Sequence, residues 1–322
     1  MEFNKTGFIV KENLSKVNFS MIPDINKTET IYHYTSIGGT KSILDRKKLW
    51  FTNIDYMNDK REAFEGLNQF EKIANKVYGK EFGEKAKAII AKYKKQKNQV
   101  FVCCFSLDKD ELAMWNYYTK DINSQGYNIG FNYKNLVVSL LKNNEELHGC
   151  GFSFGKVDYC LSENTYASKA YDMFTETVKG VYSTIDSDVD KKSISPEFDL
   201  PYVKFFGEEP VFKQSPSFNT VYYMKQPCFA KENEFRIVIR ATDDALMALK
   251  ASDKYKFRES HGALIPYIEL DFNIEDVMGI TLSPTVQSDL AIRGIEDFCF
   301  YCGIDTSDLK EGIRKSKIPV RF

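Results

Sequence analysis

The chain has 322 residues, 43% of them apolar and 28% charged, an ordinary globular composition that can bury a sizeable core in one large domain or two modest ones. Its 44 basic and 45 acidic residues leave a net charge of −1, so no global attraction to nucleic acid or to an anionic membrane follows. The 3 His speak against a His-rich metal site, and among the 7 Cys the adjacent Cys103 and Cys104 in QVFVCCF read as small buried hydrophobes of a reduced protein, with no structural zinc expected.

Residues 1–28 are mixed and polar and read as a leader lying along the domain. The stretch IYHYTSIGGTKSILDRKKLW then gives an apolar run ending in His33, Tyr34, Thr35 and Ser36. A short helix capped by Ser36 follows, and a second strand begins at Leu49. In FTNIDYMNDKREAFEG, Asn58 or Asp59 is placed to cap a helix, with Glu62 completing a capping box. Ala63, Phe64, Leu67, Phe70, Ala74 and Val77 recur on one face of that helix. A Lys-rich helix is expected from about Glu81 to Gln96, so that about 59–97 forms a helical insertion.

Gln99 to Ser106 is continuously apolar and of strand length, which predicts a central strand covered on both sides. ELAMWNYY predicts a helix, YNIGF a strand, Asn135 to Leu141 a helix, and Gly155 to Tyr159 a strand. Ala167 to Val178 has amphipathic helical spacing, and about 183–200 reads as a surface insertion. Strands are expected at EFRIVIRA, LIPYIELD and VMGITLSP, a helix over Val286 to Cys302, and a last strand at KIPVRF.

Helices and strands mix without the alternation of a doubly wound sheet, and neither GxGxxG nor GxxxxGK[ST] is present. The expectation is an α+β fold over residues 29–322: one domain with a mixed, largely antiparallel sheet and helices packed around it. The start lacks the pattern of a signal peptide, and no apolar run approaches the ~20 residues that cross a bilayer. A cytoplasmic protein without a membrane partner is expected.

Three polar clusters stand at the edges of apolar runs. They are His33-Tyr34-Thr35-Ser36, Ser106 followed by Trp115, Tyr117 and Tyr118, and Glu232-Asn233-Glu234-Phe235-Arg236. On an extended segment Glu232 and Glu234 project to one side, where they repel unless a cation or ligand hydroxyls engage them. Arg236 can pair with one carboxylate while the other, expected to be Glu234, faces a ligand. The bland alternatives are a satisfied strand end, core aromatics and a solvated strand start. Cys103 and Cys104 sit mid-strand, where thiols are inert, and His148 and His261 show no partner.

HYTS, Leu49-Trp50, Tyr56-Met57-Asn58-Asp59 with Glu62, CCFS…MWNYY…GYNIGF, KQPCFAKENEFRIVI, IPY and SKIPVRF form an ordered series from about residue 30 to the C-terminus. Through these blocks the chain resembles a bacterial and phage family known as a domain of unknown function. It also resembles, more distantly, the ADP-ribosyltransferase superfamily with its His-Tyr-Glu constellation. An N-terminal strand bearing His33, a middle aromatic block and a late Glu carry that likeness. The resemblance implies an ADP-ribosyltransferase-like fold and NAD as substrate. His33 with Thr35 would hold NAD, Tyr118 (or Tyr117) would stack on the nicotinamide, and Glu234 would be catalytic, with Glu232 as the first acid of a Glu-x-Glu pair. The implied NAD-binding set is His33, Tyr34, Thr35, Ser36, Ser106 and Tyr117; the catalytic set is Glu234, Glu232 and Tyr118; no metal is needed. The sequence departs from the pattern at Tyr34, where a small residue is usual.

On this reading the enzyme breaks the nicotinamide–ribose bond through an oxocarbenium-like ribose. A carboxylate beside that ribose stabilises the charge, and losing such a group costs ~10²–10³ in rate. ADP-ribose would go to a protein or nucleic-acid acceptor, or to water, in a toxin or anti-phage defence setting. His33, Tyr118 (or Tyr117) and Glu234 should then line one cleft, and Glu234→Gln should abolish turnover while leaving folding nearly intact. Two other readings stand beside it. One is a non-catalytic nucleotide- or protein-binding module using 81–96 and 183–200 as surfaces. The other is a metal-dependent nuclease using Asp59, Glu62, Glu232 and Glu234.

Overall fold

The computed structural model describes residues 30–57, 100–119, 126–147, 150–159, 204–206, 209–211, 221–241, 243–260, 262–286 and 288–319. The leader, the Asn58/Asp59/Glu62 cap, the helices expected within 59–97 and over 167–178, the 183–200 insertion, His148 and His261 lie outside these residues.

In chain order the elements are β1 (Thr30–Thr35), α1 (Ile37–Arg46), β2 (Lys48–Asn53), β3 (Val100–Ser106), α2 (Leu112–Tyr118), β4 (Tyr127–Asn132) and α3 (Tyr133–Asn143). There follow β5 (Gly151–Lys156), β6 (Asp158–Tyr159), β7 (Lys204–Phe206), β8 (Glu209–Val211), β9 (Met224–Lys225) and β10 (Glu234–Arg240). The last third holds α4 (Asp243–Ala251), β11 (Tyr255–Ser260), β12 (Ala263–Asp271), β13 (Val277–Leu282), α5 (Asp289–Tyr301) and β14 (Gly312–Lys315). The protein is therefore a mixed α+β fold. Among the described residues no helix is long and apolar enough to cross a membrane.

Ten of the described strands form one sheet, with the order β11-β12-β2-β3-β1-β4-β13-β14, while β10 pairs with β3 and β5 with β10. Every pairing in it is antiparallel except β13 with β14. The centre is β3. One edge of it carries all of β10, from Glu234 opposite Ser106 to Arg240 opposite Val100. Its other edge is shared: β2 pairs at Phe101 and Val102, and β1 pairs at Ser106. The sheet thus forks along β3, with α1 connecting the two branches.

The faces of this sheet explain why β3 is apolar throughout. Ile31, Phe105, Ile129, Phe235 and Ile237 belong to the main core, which also takes Ile43 and Leu44 of α1 and Leu136, Val137 and Leu140 of α3. On the other face Tyr32 and Tyr34 pack against Met114 and Trp115 of α2. A strand covered on both sides has no solvated face on which to alternate polar residues.

The β1–α1 corner is tightly built. Ser36 Oγ accepts the Gly39 N–H at 3.0 Å as an N-cap, as its sequence position predicts. A side chain at Gly39 would collide with Thr35, and one at Gly126 would collide with the Thr35 carbonyl and the Ser36 backbone. These glycines let α1 and the approach to β4 close onto the end of β1.

Three expectations shift. β5 begins at Gly151 rather than 155, and α4 and β11 stand where no element was assigned. Among the described residues the last strand is Gly312–Lys315, upstream of KIPVRF, whose residues 320–322 lie outside them: Gly312, at φ 64°, turns the chain into parallel pairing with β13. The Ser316 N–H still donates to the Leu282 carbonyl at 2.8 Å, and the Ser316 hydroxyl and the Lys317 N–H then donate to the Asp110 carboxylate at 2.6 and 2.8 Å.

Candidate functional site

The third polar cluster does not lie on one extended segment. Pro227–Glu232 is a 3₁₀ helix, and Asn233 turns the chain at φ 40° before β10 starts at Glu234. This turn is pinned to the end of β3. The Ser106 hydroxyl donates to the Glu232 carbonyl at 2.7 Å, and the Leu107 N–H donates to the Asn233 carbonyl at 2.8 Å. The Asn233 amide donates to Asp108 at 3.1 Å, which fixes a residue type that tolerates the left-handed region. Glu232 and Glu234 are brought together by this turn rather than by strand alternation.

What joins them is a cation. Lys225 Nζ reaches Glu232 Oε2 at 2.6 Å and Glu234 Oε2 at 3.2 Å, and lies 4.7 Å from the centre of the Phe229 ring. Arg236 grips Glu234 with two bonds, Nε to Oε1 at 2.7 Å and Nη2 to Oε2 at 2.8 Å. The expectation that Arg236 would leave Glu234 to a ligand is therefore reversed, because Glu234 is the carboxylate it holds. Burial pushes the Glu234 carboxyl up, but the Arg236 guanidinium and the Lys225 ammonium outweigh it and hold the group at about 2. Glu234 is an anion at any physiological pH.

Tyr118 completes the cluster. Its hydroxyl donates to Glu232 Oε1 at 2.7 Å, and burial followed by the Glu232 charge raises its pKa, so it stays a protonated donor. Its ring is half-buried, whereas Tyr117 is 76% exposed. Helical geometry turns neighbours about 100° apart, so only one of the two tyrosines can face β10, and it is Tyr118. On the other side the Tyr159 hydroxyl accepts the Glu234 N–H at 2.8 Å. Parallel pairing of β6 with β9 sets Tyr159 beside Lys225.

The second and third clusters, remote in sequence, meet at the centre of the sheet, and the strand that carries the first passes beside them. Tyr32 lies opposite Ser106, and Ser106 opposite Glu234, so β1, β3 and β10 contribute one lateral row. His33 is one residue off this row, and alternation turns it to the other face, where its ring meets Phe105 edge-on at 5.5 Å between centroids. Its Nδ1 bonds the Cys104 carbonyl at 2.9 Å, on the stretch of β3 edge between the two branches of the fork. His33 is therefore beside the acidic cluster but on the other face from Glu234, so His33, Tyr118 and Glu234 do not converge as expected; the residues brought together are Tyr118, Glu232 and Glu234.

The remaining candidates serve the frame. The Tyr34 hydroxyl donates to the Asp108 carbonyl at 2.8 Å and accepts the Glu111 N–H at 3.2 Å, while its ring packs on Trp115. Ser36 caps α1, Thr35 packs against Gly39 and Gly126, and Ser106 holds the Glu232 turn.

Two further motifs are present that reading the chain for isolated strands passes over. Gly151-Phe152-Ser153-Phe154-Gly155 fits GxSxG, yet it lies within β5, and Ser153 Oγ is bonded to the Tyr223 hydroxyl at 2.7 Å. A nucleophile elbow needs a strand-to-helix turn, which this is not. Cys299 and Cys302 have CxxC spacing at the end of α5, but both are buried, and burial raises both thiols. Among the described residues no His, Cys, Asp and Glu side chains group as metal ligands. Lys225 and Tyr159 were not predicted. Neither has periodicity or motif spacing to mark it, because the turn and the β6–β9 pairing bring them in.

No curated protein and no solved structure matches the chain, and no comparison links it to ADP-ribosyltransferases. What does match is the central part of the chain: residues 114–237, which run from α2 through the Glu232-Asn233-Glu234 turn, fit the family described as a protein of unknown function, DUF2971.

Proposed function

We propose that the protein cleaves NAD at the nicotinamide–ribose bond and passes ADP-ribose to an acceptor or to water. The observation that carries this reading is the joining of Tyr118, Glu232 and Glu234 beside Ser106, around a carboxylate that Arg236 and Lys225 hold ionised. In such a reaction Glu234 supplies the negative charge that stabilises a cationic ribose. Tyr118 presents a half-buried ring for the nicotinamide while its hydroxyl holds Glu232. For a ribose to approach, Lys225 has to leave at least one of the two carboxylates it bridges.

The test is nicotinamide release from NAD by the purified protein in EDTA, beside NAD affinity measured by calorimetry. Release by the wild type that is lost in Glu234→Asp, a variant that keeps the charge but withdraws it by one methylene, supports the reading. Folded wild type that neither binds nor cleaves NAD overturns it. Binding without cleavage favours the second reading, a nucleotide-binding module. One feature favours that reading: Lys225 and Arg236 neutralise both carboxylates.

A further inference from the structure

On the β2–β12–β11 branch of the sheet, away from the acidic cluster, lies an assembly of aromatic and cationic side chains. Trp50 of β2 stacks on Tyr267 of β12 with ring centroids 4.5 Å apart and planes at 36°. The Arg258 guanidinium of β11 lies 5.9 Å from the indole centroid. The indole N–H donates at 2.8 Å to Glu269, whose carboxylate is 2% exposed and also holds Lys256 at 3.1 Å and Arg46 at 3.9 Å. One buried anion therefore clamps the tryptophan in place and draws two cations to its polar edge.

The assembly is rigid but not closed. Trp50 keeps 37% of its surface exposed, although it is a large apolar side chain in a strand, and the Arg46 side chain is 60% exposed. The Arg258 Nε is buried and has no hydrogen-bond partner among the described residues, while its Nη2 makes only a long 3.4 Å bond to Thr52. Three cations stand against Glu269 and the exposed Asp253, which reaches Lys256 at 3.2 Å. The patch is thus positive on a chain whose net charge is −1. Thr52 lies opposite Val102 and Val102 opposite Val238, so Trp50 is on the same side of the sheet as Glu234 and Arg236.

An exposed, rigidly held indole beside a guanidinium offers planar surfaces, and Arg46 and Lys256 offer charge next to them. An acidic peptide would meet the charges but leave the indole without a planar partner. A nucleotide chain meets both, since bases stack on aromatic and guanidinium planes while phosphates pair with flanking cations. Duplex bases are already stacked and cannot reach such a ring. We propose that this patch binds single-stranded nucleic acid, with a base against Trp50 and Arg258 and its flanking phosphates on Arg46 and Lys256. The proposal stands apart from NAD chemistry and is tested without NAD.

The chain has two tryptophans, and Trp115 is 0% exposed, so emission quenched by a bound base reports on Trp50. The experiment titrates the full-length protein with short oligo(dT), following tryptophan emission and the anisotropy of a labelled oligonucleotide. Quenching is expected, with Trp50→Ala weakening binding about tenfold or more, the usual size of one base–aromatic stack. Arg46→Ala, at an exposed side chain that folding does not need, should flatten the log K against log salt slope by about 0.7. Trp50→Phe, which preserves the packing on Tyr267, should retain part of the affinity if Trp50→Ala folds poorly. Absence of binding at low salt overturns the proposal. So does binding unchanged in both Arg46→Ala and Trp50→Ala. Equal affinity for duplex DNA, inorganic polyphosphate or polyglutamate also overturns it, by reducing the patch to a site for general anions or an acidic protein.

Discussion

Glu234 and Arg236, two residues apart on β10, form a buried bidentate ion pair with bonds of 2.7 and 2.8 Å. Removing either partner strands a charge in a place that water does not reach, which typically costs about 3–5 kcal/mol. Arg236→Met should therefore destabilise the protein by about that amount in urea unfolding. Glu234→Gln should cost about 3 kcal/mol, contrary to the expectation from sequence that folding survives this change. The double variant Glu234→Leu, Arg236→Met, which leaves Lys225 paired with Glu232, should recover most of the loss. If Arg236→Met alone melts like the wild type, the pair is not the buried brace its geometry describes.

Asp276 is another buried carboxyl, between β12 and β13, where it accepts a hydrogen bond from the Ser139 hydroxyl of α3. Burial raises it from 3.8 to about 6, against the smaller opposing effect of the bonds from Ser139 and Asn273. A raised carboxyl binds its proton more tightly in the folded state. Stability from this group is present below pH 3.8 and is lost as pH rises from 3.8 to about 6, by roughly 3 kcal/mol at most. Asp276→Asn should flatten the stability profile in that window and raise the melting temperature at pH 8. A profile with the same slope in both proteins sinks this assignment.

His33 works in the opposite direction. Burial lowers its pKa below 6.5, and the bond to the Cys104 carbonyl opposes this only in part. Because a carbonyl only accepts, the ring carries its proton on Nδ1 and is neutral at pH 7. Its contribution to stability is present above pH 6.5 and is lost as pH falls through the lowered folded value. Nitrogen NMR of the folded protein should show the Nδ1–H tautomer. A charged ring at pH 7 would contradict the burial that lowers its pKa.

The sequence made the frame legible wherever burial is one-dimensional. The run ending at Ser106 is apolar because β3 is covered on both faces, and the polar ends of β1, β3 and β10 are visible because they interrupt such runs. That these ends meet in one row was not legible, since register between strands leaves no mark in a single chain. Nor was the Asn233 turn, where alternation on an assumed strand gave the right neighbours for the wrong reason. Lys225 is invisible for the same cause, because a lysine among polar residues is ordinarily solvated and only the fold brings it between two carboxylates. At the C-terminus KIPVRF is strand-like in composition, whereas the described pairing begins upstream at a glycine turn and Asp110 holds Ser316 and Lys317.

The corner at the end of β1 gives a prediction in which two effects compete. Ala in place of Gly inside a helix normally gains about 0.8–1.0 kcal/mol. At Gly39, in the first turn of α1, the new methyl would overlap the Thr35 side chain. Overpacking of this kind costs typically about 1–3 kcal/mol, so the clash should win and Gly39→Ala should destabilise. Gly39→Ala combined with Thr35→Ser, which removes one obstructing methyl but leaves the hydroxyl, should relieve only part of it. A Gly39→Ala protein more stable than the wild type would show that the corner is looser than described.

The last prediction separates Tyr118 from Tyr117 and the frame from the chemistry. Tyr118→Phe removes the donor to Glu232 Oε1, but Lys225 still holds Oε2 and the half-buried position lets water replace the lost bond. The expected cost is about 1 kcal/mol, within the ordinary range for one hydrogen bond. If NAD is the substrate, the retained ring still stacks, so nicotinamide release by Tyr118→Phe should fall by less than about tenfold, the loss that one hydrogen bond of about 1.4 kcal/mol would give. Tyr118→Ala should lose far more, because the stacking surface itself is gone. Tyr117 is 76% exposed and outside the cluster, so Tyr117→Ala should change neither melting nor release. The measurements are thermal melting and nicotinamide release for all three variants. Equal losses from Tyr117→Ala and Tyr118→Ala would mean that α2 presents its other side to the substrate. A Tyr118→Ala protein that turns NAD over at the wild-type rate would leave Tyr118 as a brace for Glu232 and nothing more.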